Sequence, residues 1–172
     1  MIRLATTNDV EGITTIYEKI HDLEEAGKMS IGWDRNIYPV WQTAMDAVKR
    51  GDMFVSDEDD NIVAADIINQ IQVPEYVDCP WKYPAEDKDV LTLHTLVVDP
   101  HCNGRGYGSE FIGFYEKLAV ERNQRYLRLD TNVINTEARK FYKKLGYKEP
   151  GVIHCTFNVI SDVNLICLEK LV

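Results

Sequence analysis

Three glycines at alternate positions form the most informative pattern in this sequence. Gly104, Gly106 and Gly108 stand between an apolar, β-branched run that ends at Asp99-Pro100 and a stretch with helical periodicity. Backbone N–H groups at a helix start have no partner within the helix, and they lie at the positive end of its dipole. Glycines let a bulky ligand approach the main chain. The order of strand, glycine loop and helix therefore predicts an anion site, and phosphate is the usual ligand of such a site.

The loop alone does not select one phosphate ligand. A nucleoside-triphosphate P-loop has a Lys after its last glycine, whereas Ser109 follows Gly108 here. A dinucleotide fingerprint requires Gly-x-Gly-x-x-Gly, and its third glycine position is Phe111 when counted from Gly106 or Ser109 when counted from Gly104. Both motifs fail, so the residues around the loop must decide.

A second group of residues lies about 30 positions further along the chain. Asn135 is a good helix N-cap. Tyr142 lies in the apolar stripe that follows it, and periodicity alone favours a core tyrosine there. Alternatively, the Tyr142 hydroxyl could donate a proton in a catalytic site. The stripe consists of Ala138, Phe141, Tyr142 and Leu145, and it ends at Gly146.

A histidine, His94, lies in the segment Leu93-His94-Thr95-Leu96 that precedes the loop. An imidazole has an unperturbed pKa near ~6.5, which suits proton transfer at neutral pH. Strict strand alternation places His94 on the same face as Leu96, and a bulge would change that. A structural, hydrogen-bonded histidine fits the pattern equally well.

The elements that position these residues alternate between strands and helices. A capping box of Asn8 and Glu11 is expected to begin a helix that ends at Gly27, and Pro39 suits the first turn of a second helix that stops near Gly51. Further helices are expected over 106–122 and from residue 135. Strands are expected at 2–4, 53–55, 62–68, 90–98, 126–129 and 163–168, with an acidic hairpin turn at 57–61 and an irregular segment, Gln72–Asp89, that is either a binding lid or a surface insertion.

Composition limits the class of protein. The chain has 172 residues, 45% of them hydrophobic, and neither a linker nor a repeat, so a single domain over residues 1–172 is expected. Its net charge of −9 argues against a nucleic-acid partner, and it either steers a cationic amine or serves solubility. Without a membrane-spanning apolar run or a signal-peptide pattern, a cytoplasmic protein is expected. The four cysteines are scattered and predict free thiols with no metal site.

Both motifs together resemble the GNAT family of N-acetyltransferases. The matching segments are Val97-Val98-Asp99-Pro100, then Asn103-Gly104-Arg105-Gly106-Tyr107-Gly108, then Asn135 to Tyr147. The resemblance implies an α/β fold with a mixed, mostly antiparallel, strongly curved sheet and helices on both faces. The family has Gln or Arg where Asn103 stands, and Arg105 could restore some of the lost positive charge.

The resemblance implies that the protein transfers an acetyl group from acetyl-CoA to a primary amine of a small molecule or peptide. The amine attacks directly in a ternary complex, and no metal takes part. Tyr142 would be the general acid, and His94 lies in the region where many relatives carry a Glu base. The cofactor-binding residues would be Leu96, Val97 and Val98 through their backbone, the loop Asn103, Gly104, Arg105, Gly106, Tyr107, Gly108 and Ser109, and Asn135.

Two alternatives stay open from sequence. The chain could be a non-catalytic acyl-CoA sensor or assembly module, and Asn103 and the missing Glu favour this alternative. It could also be a transferase for a longer acyl-CoA. The amine site would be built by the first half of the chain, where the segment Ile31–Pro39 interleaves aromatic and charged residues, together with Gln72–Asp89. Relatives commonly form homodimers, so a homodimer is also an expectation.

Overall fold

The computed structural model of the chain describes residues 1–157 and 159–172. The helices are α1 (Val10–Glu25), α2 (Trp41–Arg50), α3 (Tyr107–Glu121) and α4 (Thr136–Lys144). The strands are β1 (Ile2–Leu4), β2 (Met53–Glu58), β3 (Asn61–Asn69), β4 (Val90–Val98), β5 (Tyr126–Asn132), β6 (Val152–Phe157) and β7 (Ile160–Leu171).

The described strands form one sheet in the order β1-β2-β3-β4-β5-β7-β6. The pairs β1–β2, β2–β3, β5–β7 and β6–β7 are antiparallel. β4 and β5 are parallel, as expected for two strands joined by a helix. The predicted mixed, mostly antiparallel α/β sheet is confirmed.

The chain divides into two compact units. The first consists of Met1–Met29, Trp33–Ile68 and His94–Tyr115, and the second of Ser30–Gly32, Asn69–Leu93 and Glu116–Val172. The single domain expected over residues 1–172 stays a prediction.

In the first unit, α1 buries the face that its periodicity predicted, with Tyr17 as its largest buried side chain. The predicted capping box of Asn8 and Glu11 is wrong. The box is formed two residues earlier by Thr6 and Asp9, and a short 3-10 turn, Thr7–Asp9, leads into the helix. Asp9 is held there because it accepts the Thr6 N–H at 2.7 Å and pairs with Arg3 at 2.8 Å.

The start of α2 also differs from the prediction. Pro39 precedes the N-cap instead of lying in the first turn, and the Tyr38–Pro39 peptide is cis. Val40 is the N-cap because it is extended, and its N–H donates to the Thr43 hydroxyl at 3.0 Å. The hairpin between β2 and β3 turns more tightly than predicted, at Asp59-Asp60, both with positive φ.

In the second unit, the sequence did not predict β6 and predicted β7 too short. In this region the sequence predicted only 163–168 as a strand, and β5 extends three residues beyond its predicted end. β6 does carry the signal of a half-buried strand, because exposed Val152 and His154 alternate with buried Ile153 and Cys155.

The segment between β3 and β4 is irregular, as predicted, with short 3-10 turns at Pro74–Asp78 and Asp87–Asp89. It is tied closely to the strands. The backbone N–H groups of Lys82 and Tyr83 donate to the Glu169 carboxylate of β7 at 2.8 and 3.2 Å. The Arg128 guanidinium of β5 lies 4.4 Å from the Trp81 ring centre. These contacts hold the segment against β5 and β7, so it packs on the strands of the second unit and is not a loose surface insertion.

Candidate functional site

The glycine loop of the first unit has the backbone that its sequence predicted. Gly104 and Gly106 have φ values of +81° and +91°, which side-chain-bearing residues rarely adopt. A Cβ built on either glycine would meet no atom within 4 Å. The glycines are therefore needed for the turn itself, and they leave the space beside the main chain open to a ligand.

The first turn of α3 presents free donors beside this loop. The Gly106 carbonyl accepts the Glu110 N–H at 3.0 Å and so closes the first turn of the helix. Among residues 1–157 and 159–172, the N–H groups of Tyr107, Gly108 and Ser109 have no acceptor. Three adjacent amides at the positive end of a helix suit a diphosphate.

The loop is anchored on its strand side by Asp99. Its N–H donates to the Val63 carbonyl of β3 at 2.8 Å, and its carboxylate accepts the Lys19 ammonium of α1 at 2.6 Å. Burial opposes ionisation of Asp99, but hydrogen bonds from Lys19 and the His101 N–H outweigh it and hold its pKa below the usual range. The entry to the loop is thus fixed before any ligand binds.

The positive charge of the loop is already paired. The Arg105 guanidinium contacts Glu58, at the end of β2, at 3.0 Å, and the Tyr107 hydroxyl donates to the same carboxylate at 2.8 Å. Both Arg105 and Glu58 are largely exposed, so the pair contributes little to stability. The Arg105 side chain is thus engaged by Glu58 in this structure, and its compensation for Asn103 stays a prediction.

β4 contains a backbone irregularity next to His94. Thr95 has a φ of +57°, which is rare for a β-branched residue, and its hydroxyl contacts the hydroxyl of Tyr38. Strict alternation therefore fails here: His94, Thr95 and Leu96 are all half-buried. The irregularity considered from sequence is present, and such strained positions concentrate at functional sites.

Beyond Thr95 the burial alternates, with Val97 buried between half-buried Leu96 and Val98, and this alternation indicates the direction of the amides. The Asp99 N–H points to β3, since it donates to Val63. Alternation then directs the N–H of Val97 to β3 as well, and those of Leu96 and Val98 to the opposite side. On that side the pairing of β4 with β5 found among the described residues runs from Val90 to Thr92.

Asn135 and Tyr142 lie in the second unit. The Asn135 side chain accepts the Ala138 N–H at 3.1 Å, which confirms it as the N-cap of α4. Tyr142 is only 6% exposed, and its ring lies edge-on to Phe141 and Tyr147 at centroid distances of 5.1 and 5.8 Å. The burial of Tyr142 that periodicity predicted is confirmed, and its catalytic role stays a prediction.

Sequence reasoning missed Asp66. This β3 carboxyl is fully buried, and neither of its oxygens has a hydrogen-bond partner of good geometry among residues 1–157 and 159–172. The Tyr17 hydroxyl, also buried, is in the same condition. Burial raises the pKa of Asp66 well above its ordinary value, and the Ile67 N–H offsets only part of this effect. An Asp inside the apolar run 62–68 was the available signal.

The described part of the chain contains no cluster of three or more His, Cys, Asp and Glu side chains arranged to hold a metal ion. In the same residues, no helix combines the length and apolar character needed to cross a bilayer.

Comparison with known proteins establishes the family. A sequence profile of the acetyltransferase (GNAT) family matches residues 17–147, more than half of the chain. The chain belongs to this family. An uncharacterized N-acetyltransferase of Methanocaldococcus jannaschii is 37% identical over 86 residues, which are 50% of this chain and 38% of that relative. The chain thus matches well under half of the length of this relative.

Solved structures share the fold over the whole chain. An acetyltransferase of the GNAT family from Streptococcus agalactiae superposes with a TM-score of 0.81 at 22% identity, covering all of this chain and 95% of that one. The ribosomal-protein-alanine N-acetyltransferase of Brucella melitensis gives a TM-score of 0.71 at 15% identity, with coverages of 100% and 99%. At these identities the likeness establishes the fold alone.

Asp66→Asn should change how stability depends on pH. The pKa of Asp66 is raised in the folded state, so the protonated carboxyl stabilises the fold relative to the ionised one. This contribution to the free energy of unfolding is fully present below the unfolded pKa near ~3.9 and is lost as the pH rises through the folded pKa. The loss reaches at most about 1.4 kcal/mol per pH unit. Urea unfolding from about pH 5 to about pH 8 should show a flatter profile for the variant. The exposed Asp60→Asn is the control and should follow the wild type. If the free energy of unfolding changes equally with pH in the wild type and both variants, the pKa of Asp66 is not raised in the folded protein.

Proposed function

We propose that this protein is an N-acetyltransferase that transfers the acetyl group of acetyl-CoA to a primary amine of a small molecule or peptide. The carrying observation is the loop at the end of β4, where Gly104 and Gly106 with positive φ open onto the unpartnered amides of α3. Membership of the GNAT family supports the reaction class. The reaction is direct attack in a ternary complex, carried by one domain over residues 1–172 in a reducing, cytoplasmic compartment.

The loop Asn103–Ser109 would bind the diphosphate of coenzyme A. Main-chain donors of Gly106, Tyr107, Gly108 and Ser109 supply most of the binding, because Asn103 is uncharged and Arg105 must first leave Glu58. Gly104 supplies the turn. Asn135 is proposed as a further cofactor contact. Its side-chain oxygen accepts the Ala138 N–H at the cap of α4, so the contact would use its side-chain nitrogen.

The β4 backbone would hold the thioester end of the cofactor. Of the three residues predicted for this role, Leu96 and Val98 direct their N–H groups away from β3, whereas Val97 is turned toward it and buries its side chain. Amides at Leu96 and Val98 can bind the pantetheine arm as another strand would, and can stabilise the developing oxyanion.

His94 is the proposed base. A lysine-like amine has a pKa near ~10.4, so it must lose a proton before it attacks. A half-buried imidazole beside the Thr95 irregularity can take that proton directly or through water. The thioester is itself the electrophile, so the chain needs no metal for activation.

Tyr142 is the proposed acid for the departing thiolate. A phenol with a pKa of about 10 would transfer its proton uphill to a thiol of about 8.5, at a cost of roughly 2 kcal/mol. Tyr142 therefore acts in part as a hydrogen-bond donor to developing charge. Its buried ring, fixed by Phe141 and Tyr147, supports this role because a donor of fixed orientation needs no reorganisation.

A non-catalytic acyl-CoA sensor is the second candidate. Two observations favour it: Asn103 replaces the family's Gln or Arg, and the Arg105 charge is paired with Glu58. Thiol release from acetyl-CoA with a panel of primary amines separates the two, since a sensor binds the cofactor and releases no thiol.

Gly106→Glu should abolish acetyl-CoA binding, with a loss of more than about 100-fold in affinity. The new side chain forces a strained φ, fills the space beside the loop and places a negative charge at the phosphate position. Calorimetry measures the affinity. Gly27→Glu is the matched control, because Gly27 has a φ of +67° and open space but follows α1. If Gly106→Glu binds like the wild type, the loop assignment is wrong.

Tyr142→Phe should lower kcat about 10- to 100-fold while acetyl-CoA affinity stays within about twofold. The substitution removes one hydroxyl and keeps the ring packing. Tyr147→Phe changes a neighbouring ring of the same cluster and should leave kcat unchanged. Equal kcat values for the wild type and Tyr142→Phe would remove Tyr142 from the mechanism.

His94→Gln should remove the limb of the pH–rate profile that reports deprotonation of the base, because glutamine cannot titrate. The expected loss of kcat/KM near pH 7 is about 100-fold. Steady-state rates with a saturating amine test this from about pH 5 to about pH 9. A limb that survives unchanged in the variant assigns proton removal to another group or to water.

A further inference from the structure

Three of the four cysteines meet in one buried cluster of the second unit. Its members, which we call the cysteine cluster, are Tyr76, Cys79, Ile153, Cys155, Val163, Leu165 and Cys167. Cys79 comes from the segment between β3 and β4, Cys155 from β6 and Cys167 from β7. All are free thiols. The sequence positions of these residues, which are widely scattered, gave no hint of this arrangement.

Backbone packing brings Cys79 next to Cys167. Pro80 lies so close to Gly151 that a Cβ on that glycine would be only 2.7 Å from the Pro80 Cδ. The carbonyl of the same Gly151 accepts the N–H of Cys167 at 2.9 Å. The residue after Cys79 and the backbone of Cys167 therefore both contact Gly151, and the two thiols interact with each other.

The two thiols differ in ways that suit different steps of an oxidation. Cys79 lines a cavity of about 650 Å³ formed by the segment between β3 and β4, together with Trp81 and Arg128. A hydrogen bond with Cys167 lowers the pKa of Cys79; burial and Glu169 oppose this effect, and Arg128 assists it. Cys167 is fully buried, and its interaction with Cys79 together with burial raises its pKa. Thiolate character and access make Cys79 the more reactive of the two.

We propose that Cys79 and Cys167 form an oxidation site, at which hydrogen peroxide entering through the cavity converts the dithiol to a disulfide. In the first step the Cys79 thiolate attacks one peroxide oxygen, the O–O bond breaks, and Cys79 becomes a sulfenic acid with release of hydroxide. In the second step the Cys167 sulfur attacks the sulfenic sulfur. An S–S bond forms, and the oxygen leaves as water with the Cys167 proton. Peroxide is reduced by two electrons and the two thiols are oxidised.

The disulfide would fasten the segment between β3 and β4 to β7. That segment forms the wall of the cavity, and in the reduced protein only noncovalent contacts hold it, such as those from Lys82 and Tyr83 to Glu169. Cross-linking residues 79 and 167 restricts the unfolded chain and the opening of this wall. The inference does not depend on the proposed acetyl transfer.

The test is a titration of the reduced full chain with hydrogen peroxide, quenched with N-ethylmaleimide and analysed by intact mass and peptide mapping. The expected product has lost two hydrogen atoms, carries a peptide joined through Cys79 and Cys167, and reverts with dithiothreitol. Hydrogen exchange in 69–89 should slow in the oxidised form. Cys167→Ala should instead accumulate a sulfenic acid at Cys79, which dimedone labels.

Cys155→Ala is the matched control, since it removes a buried thiol of the same cluster whose pKa is raised by burial and by Glu75 and Asp130. It should still form the 79–167 disulfide. The proposal is overturned if the wild type oxidises at Cys102 without a 79–167 peptide. It is equally overturned if dimedone labels Cys155 as fast as Cys79 in the Cys167→Ala protein. The wild-type peptide map decides the matter even where a variant fails to fold.

Discussion

The backbone conformation of the connection between β4 and α3 is the constraint on which the proposed cofactor site depends. Gly104 and Gly106 adopt left-handed φ values, and Asp99 fixes the strand end through the Val63 carbonyl and the Lys19 ammonium. Among the residues that the structure describes, the amides of Tyr107, Gly108 and Ser109, which follow this turn, have no acceptor, as is usual at a helix start. Everything proposed about coenzyme A follows from those unsatisfied donors, since an anion there satisfies them at no reorganisation cost.

Around this constraint the first unit tolerates several locally unfavourable features. Thr95 has a positive φ in a strand, and the buried Asp66 carboxyl has no hydrogen-bond partner of good geometry in the described part of the chain. Each costs of order 1–3 kcal/mol in a typical protein. Both lie on strands next to the loop, β4 and β3, and not among the ordinary core positions of α1. Local costs of this kind are expected where function, rather than stability, selects the residue.

The sequence predicted what local patterns determine. The helices, the central strand and the irregular segment 72–89 follow from periodicity and from glycine and proline positions, and the Asn135 cap was read correctly. The errors have identifiable causes. The capping box lies at Thr6 and Asp9 because contacts with Thr6 and with Arg3, six residues earlier, hold Asp9. β6 was missed because its first exposed residue, Val152, is apolar, so apolar and polar residues do not alternate strictly in its sequence.

The site was predictable only in part for the same reason. Glycine-loop residues and Tyr142 are recognisable from spacing, whereas Asp66, the Glu58–Arg105 pair and the cysteine cluster depend on contacts between residues far apart in the chain. No local pattern encodes such contacts. The cofactor-binding roles of Leu96, Val97 and Val98 stay predictions, and strand alternation favours the amides of Leu96 and Val98 for this role.

The most direct measurement is an NMR titration of the labelled full chain with coenzyme A, followed through backbone amide shifts, with pantetheine as the ligand that lacks the diphosphate. Coenzyme A is expected to change the chemical shifts of the Gly106, Tyr107, Gly108 and Ser109 amides most strongly, and pantetheine is expected to leave these shifts unchanged. Saturable binding of coenzyme A that left these four amides unshifted would contradict the proposed cofactor site.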